Sequence, residues 1–172
     1  REELIESKKE QAENLMIVDL CRNDLATVSK TGTVRVDSLL AVESFSTVHQ
    51  LVSTISGEIA EGVKPSEVVR ALFPAGSMTG APKHRAVTIL RNLESGRRGI
   101  YSGVYGFAGD GALSLAMTIR SIVIDSRGAS IGVGGGITSD SDPAQEIVEV
   151  GVKAAALLSA LGAAPNPYLH SE

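Results

Sequence analysis

The sequence predicts an α+β fold with a largely antiparallel sheet. Strand-like segments follow one another in runs divided by short turns, instead of alternating with helices as in a parallel sheet. The turns are hairpin-like (AGDGA and SRG), and no strand–turn–helix unit carries GxGxxG or GxxxxGK[ST]. Dinucleotide-binding and P-loop folds are thereby excluded. At 172 residues, with 43% hydrophobic and 21% charged residues, the chain has globular composition and the size of one ordinary domain.

The elements follow in order. Glu2 to about Asp24 reads as helix: strong helix formers, no Gly or Pro, and Ile5, Ala12, Leu15, Met16 and Leu20 near one face. No capping Ser, Thr, Asp or Asn precedes it, so the chain is expected to be part of something longer. LMIVDL within it could by itself be a buried strand. A turn at Gly32 leads into extended segments at 34–44 and 48–59, the second rich in β-branched residues. Pro65 and Ser66 open a short helix through Phe73, and FPAGSMTGAP (73–82) reads as an irregular loop. Pro82 suits the first turn of a helix running to about Leu93. Strands are expected at 101–108, 113–125 and 130–137. The last helix is the best marked, with Asp142 as N-cap, Pro143 at its first position, Gln145 closing a capping box and Gly162 beyond its end. PNPYLHSE is a polar tail.

Composition narrows the function. Sixteen basic residues against 20 acidic ones give a net charge of −4, and aromatics are only 3%. Neither a clustered basic surface nor a base-stacking platform is expected, so nucleic acid is an unsuitable partner. Cys21 is the single cysteine, which rules out an intramolecular disulfide and a thiolate zinc cage; it reads as a small buried hydrophobe. No apolar run approaches a membrane span and the start is charged, so a soluble, cytoplasmic protein is expected.

Some residues could carry chemistry. In the last helix the only charges between Pro143 and Gly162 are Glu146, Glu149 and Lys153, which share one stripe. The stripe is either a solvated face or a buried carboxylate site, since isolated buried carboxylates are costly without a partner or metal. Glu10 and Glu13 repeat the spacing in the first helix, within a highly charged stretch. Two such pairs suit Mg²⁺, which takes oxygen ligands and keeps waters. GVGGG (132–136), at a strand end before the glutamate helix, can bring backbone N–H groups close to an anion or can simply bend the sheet. Arg120, in the apolar LAMTIRSIVI segment, is expected on the strand face of Ala116 and Thr118 and needs an anionic partner. His49 and Tyr101 say little alone.

KKEQAENLMIVDLCRNDL, VESFSTVHQLVSTISGEI, ALFPAGSMTGAPK, RRGIYSGVYGF and GVGGGITSDSDPAQEIVEVGVK resemble, in order, the signature blocks of the chorismate-binding enzymes. That family includes anthranilate synthase component I, aminodeoxychorismate synthase component I, and the isochorismate and salicylate synthases. The resemblance runs from about Ser7 to Leu161 and implies the C-terminal half of that family's α/β sandwich, with the polar tail at 162–172. It further implies that Glu13 and Glu149 bind Mg²⁺ directly, with Glu10 and Glu146 supporting them through water. Tyr101 and Arg120 would hold the enolpyruvyl carboxylate of chorismate with backbone groups of Gly134, Gly135 and Gly136. Lys153 would lie beside the ring carboxylate. His49 would flank the ring near the departing hydroxyl, and Thr79 with Lys83 would belong to a pocket-shaping loop; these three complete the expected catalytic set.

The family's upstream SPE and PIKGT blocks do not occur here, and with them go the general acid and the residue that decides the chemistry. The chain by itself is therefore expected to bind little or no chorismate. STVHQLVST, GSMTGAPK and RGIYSG resemble the branch that aminates chorismate at C4 on the way to 4-aminobenzoate and folate. That branch implies a glutamine amidotransferase as ammonia source, in a separate subunit or a fused domain. Anthranilate formation and a non-catalytic remnant remain the alternatives.

Overall fold

The computed structural model describes residues 1–46 and 48–164. The chain divides into two compact units, Arg1–Leu93 and a second beginning at Glu94. Of the expected polar tail at 162–172, the residues from Pro165 onward lie outside the described residues.

In the first unit the order is α1 (Glu2–Glu6), α2 (Lys8–Ala26), β1 (Arg35–Ser44), β2 (His49–Ser56), α3 (Pro65–Leu72), α4 (Gly76–Thr79) and α5 (Lys83–Leu93). The single helix expected over 2–24 is broken at Ser7, whose hydroxyl accepts the Glu10 N–H at 3.3 Å and so caps α2. LMIVDL is helical. The face that α2 turns inward is only in part the expected apolar one: Leu20 is half-buried, but Ala12 is exposed. Leu15 and Met16 are exposed, while Glu10, Glu13, Asn14, Ile17 and Cys21 are half-buried and Val18 is buried. Polar anchoring accounts for this. Asn14 Nδ2 donates to Leu51 O at 3.1 Å, and its Oδ1 accepts from Ser53 Oγ at 2.6 Å, which pins α2 to the β1–β2 hairpin. Ser53 Oγ in turn accepts the Leu40 N–H at 3.0 Å, where β1 bulges and Leu40 takes a φ of 54°. Pro65 begins α3 as expected, with the Glu67 carboxylate accepting the Lys64 N–H. The loop expected over 73–82 contains the single turn α4.

The second unit contains β3 (Val104–Gly109), β4 (Ala112–Met117), β5 (Ile122–Asp125), β6 (Gly128–Ile131) and α6 (Pro143–Ala160). Among the described residues the three strand pairings are antiparallel, as expected, and form separate two-stranded ladders. Asp110 and Gly111 both have positive φ, the geometry of the two-residue turn that joins β3 to β4. The strand expected over 113–125 is instead two strands. β4 pairs with β3 and β5 with β6, so the chain changes partner at 118–121 and Arg120 adopts a φ of 48° there. Arg120 is thus an exposed turn residue and not a member of a strand face. The strand expected over 130–137 ends at Ile131, leaving 132–138 irregular. α6 is capped by Asp142 Oδ1, which accepts the Gln145 N–H at 2.9 Å.

Among the described residues the buried apolar set is small: Val18, Val28 and Ala154. Large side chains such as Phe107, Ile124, Ile137 and Val152 remain exposed. Among the described residues no helix is long and apolar enough to cross a membrane.

Asn14 and Ser53 act as one anchor. Asn14→Ala and Ser53→Ala in the full-length protein should each cost about 1–3 kcal/mol, and the double variant little more than the worse single, in urea unfolding. Fully additive losses would contradict a shared network.

Candidate active site

The last helix decides between the two readings of its charged stripe. Glu146, in its first turn, is buried at 5% exposure, and Glu149 and Lys153 are half-buried. The apolar residues Ile147 and Val152 face outward at 53% and 70% exposure. The carboxylate stripe therefore lies on the inward face of α6. Its position at the helix N-terminus also favours the negative charge of Glu146.

The glycine run is what it faces. A Cβ placed on Gly135 would stand 2.9 Å from Glu146 Oε2, so the glycine backbone lies close beside that carboxylate. A Cβ on Gly134 would meet the Tyr101 hydroxyl at 3.1 Å, and one on Gly132 would lie 2.6 Å from Tyr101 Cδ2. Tyr101 accordingly lies along the run with its hydroxyl at Gly134. Lys153 Nζ forms an ion pair with Glu149 Oε1 and donates to Gly134 O at 3.3 Å. Tyr101, Gly134, Gly135, Glu146, Glu149 and Lys153 thus form one connected assembly. Gly136 is exposed at the end of the run, and Arg120 sits at its turn outside these contacts.

A cavity of about 570 Å³ opens beside Tyr101, Thr118 and Gly132, with Arg98, Ser121 and Arg127 in its wall. Arg98 holds both oxygens of Glu94, and these bonds draw the Glu94 carboxyl below its ordinary range.

In the first unit, Glu10 and His49 line a second cavity of about 450 Å³ together with Arg1, Leu4, Ser7 and Val48. His49 is exposed, and its Nδ1 lies 2.9 Å from Ser44 Oγ. Glu13, next along the same helix face, lies 3.9 Å from Lys9 Nζ. Thr79 Oγ1 turns back to its own loop, 3.3 Å from Ala75 O. Lys83 Nζ lies 2.5 Å from Asp24 Oδ2. Burial raises the Cys21 thiol, and the Asp24 carboxylate raises it further.

Among the described residues no three of His, Cys, Asp or Glu stand close enough together to hold a metal ion. Each unit nevertheless offers a carboxylate pair one turn apart on the inward face of a helix. Hard oxygen donors of this kind are the ligand type that Mg²⁺ takes. Asn14, Ser53 and Asp24 escaped the sequence reading. The inward spacing from Glu10 through Asn14 and Ile17 to Cys21 and Asp24 was the one available signal for Asn14 and Asp24, and Ser53 in β2 had none.

Residues 1–159 match the family model described as chorismate binding enzyme. The chain belongs to the chorismate-binding enzyme family. An aminodeoxychorismate synthase from Streptomyces pristinaespiralis is 50% identical over 159 residues, covering 92% of this chain and 22% of that protein. Anthranilate synthase component 1 from Aquifex aeolicus is 44% identical over 161 residues, 93% of this chain and 33% of that protein. The crystal structure of anthranilate synthase component I from Streptococcus pneumoniae matches with a TM-score of 0.80 at 35% identity, over 87% of this chain and 34% of that one. The chain thus spans a fifth to a third of the length of these relatives, and the family fold expected from the signature blocks is present.

The backbone of Gly132 lies against Tyr101, where an added Cβ would stand 2.6 Å from the ring Cδ2 and 2.7 Å from the Tyr101 Cβ. Gly132→Ala in the full-length protein should cost about 1–3 kcal/mol in urea unfolding through overpacking. Gly96→Ala, where a Cβ meets open space, should stay within about 0.5 kcal/mol. Equal effects would show that the glycine run is not packed against Tyr101.

Proposed function

We propose that this chain is the carboxylate-bearing part of an aminodeoxychorismate synthase component I, which aminates chorismate at C4 in an Mg²⁺-dependent reaction. The observation that carries the reading is α6, which buries Glu146 beside the glycine run instead of exposing it. The identity to an aminodeoxychorismate synthase, 50% against 44% for an anthranilate synthase, supports the branch.

Tyr101 and the glycine backbone, with Arg120, bind the enolpyruvyl carboxylate of chorismate. Backbone N–H groups are suited to this because they approach closely and carry no side-chain entropy. Lys153, held by Glu149 and Gly134 O, sets a fixed positive charge beside the ring carboxylate. His49 and Glu10 line the cavity that receives the side of the ring from which the C4 hydroxyl departs. Thr79 shapes the pocket from its loop. Glu13 and Glu149 would hold Mg²⁺ directly, with Glu10 and Glu146 behind them. When bound, the ion supplies Lewis-acid polarisation and a template for the substrate carboxylate. The residues of this chain thus contribute positioning and electrostatic stabilisation, the terms that dominate when charge develops on a leaving group. Ammonia comes from a glutamine amidotransferase partner, and the product leads to 4-aminobenzoate and folate.

The test is product analysis on the full-length protein with chorismate, ammonium and Mg²⁺. Aminodeoxychorismate without pyruvate is the expected result. Anthranilate with pyruvate would place the chain in the other branch, and no product from folded, Mg²⁺-loaded protein would favour a non-catalytic remnant.

A further inference from the structure

We propose that Asp24 and Lys83 form a positioning latch that clamps the 73–82 loop onto α2, and that Lys83 acts through this loop and not on the substrate. The inference rests on the reading above, in which α2 and the loop both border the substrate.

Lys83 is the first residue of α5 and Asp24 lies in the last turn of α2, 59 positions earlier. Each is individually misplaced. A cation at a helix N-terminus and an anion near a helix C-terminus both oppose the helix dipole. Their pairing compensates both. The side chains are only 23% and 14% exposed, so the pair is more shielded than a surface salt bridge. Removing one partner would strand the other in a half-buried place.

A second contact pins the same loop one turn earlier on α2. A Cβ on Gly76 would stand 2.7 Å from Leu20 Cδ1, so the loop backbone rests on Leu20, four residues before Asp24. The loop is therefore fixed at residues 76 and 83, on successive turns of α2. Thr79 and Gly80 lie between the two pins. Gly80 N–H closes the turn onto Gly76 O at 2.8 Å, with Gly80 at a φ of 94°. The helix that receives both pins is the one that carries Glu10 and Glu13 on its inward face. The latch thus sets the position of Thr79 relative to those carboxylates.

Two measurements on full-length Lys83→Met, Asp24→Asn, the double variant and Lys83→Arg test this. Hydrogen exchange of a peptide covering 74–82 reads the latch without reference to any substrate. Exchange should accelerate at least about tenfold in Lys83→Met and Asp24→Asn, and remain near wild type in Lys83→Arg. Turnover of chorismate reads the consequence. Both single variants should lose about 10- to 100-fold in kcat with KM changed less than about threefold, the double variant should be no worse than the worse single, and Lys83→Arg should rescue. A large loss in Lys83→Met with Asp24→Asn and loop exchange at wild-type values would overturn the proposal and make Lys83 a substrate-contacting group. Faster exchange with unchanged kcat would overturn it equally, leaving a purely structural pair. If wild-type protein does not turn over chorismate, the functional reading fails while the exchange result still judges the latch.

Discussion

Burying a carboxylate is the constraint on which the rest of this structure turns. An ionised side chain moved out of water costs several kcal/mol unless its surroundings compensate it. Glu146 meets that cost at 5% exposure, in the first turn of α6, where the helix dipole favours its charge and a neighbouring backbone of glycine leaves it room. Much of the second unit follows from this. β6 stops at Ile131 so that 132–138 can run irregularly, and Tyr101 lies against the side-chain-free backbone. Lys153 reaches from α6 to Gly134 O and Glu149.

The first unit solves a similar problem with polar anchors. α2 presents Glu10 and Glu13 inward because Asn14 is hydrogen-bonded into the β1–β2 hairpin and Asp24 is paired with Lys83. The apolar residues that a surface helix would hide are then displaced outward, as Leu15 and Met16 are. Both long helices therefore mix charged and apolar residues on their inward faces, Glu10 and Glu13 with Ile17 and Val18 on α2 and Glu146 with Val150 and Ala154 on α6. Stability is spent at these positions on arranging charge, the usual sign of a functional surface.

The sequence was most legible where local chemistry decides structure. Asp142, Pro143 and Gly162 bounded α6 because capping is a local interaction, and Asp110-Gly111 marked its hairpin because positive φ selects those residues. The family blocks carried the fold. Tertiary choices were illegible. Hydrophobic spacing found the inward face of α2 only in part, since two side chains hydrogen-bonded across the sheet outweigh a weak apolar stripe. The continuous apolar run around Arg120 concealed a change of strand partner at 118–121, which no period-two pattern can reveal. For the site, spacing alone left the α6 stripe undecided between solvent and interior, because only burial distinguishes them.

The inward carboxylates of the two units are proposed to receive a cation. The most direct measurement is a Mn²⁺ titration of the full-length protein followed by water-proton relaxation, with Mn²⁺ standing in for Mg²⁺. Comparing wild type with Glu146→Gln keeps the size and hydrogen-bonding capacity of the buried side chain and removes its charge. At unchanged folding, binding in the variant should weaken by about tenfold or more. Identical titration curves for the two proteins would contradict it and leave Glu146 as a buried structural acid.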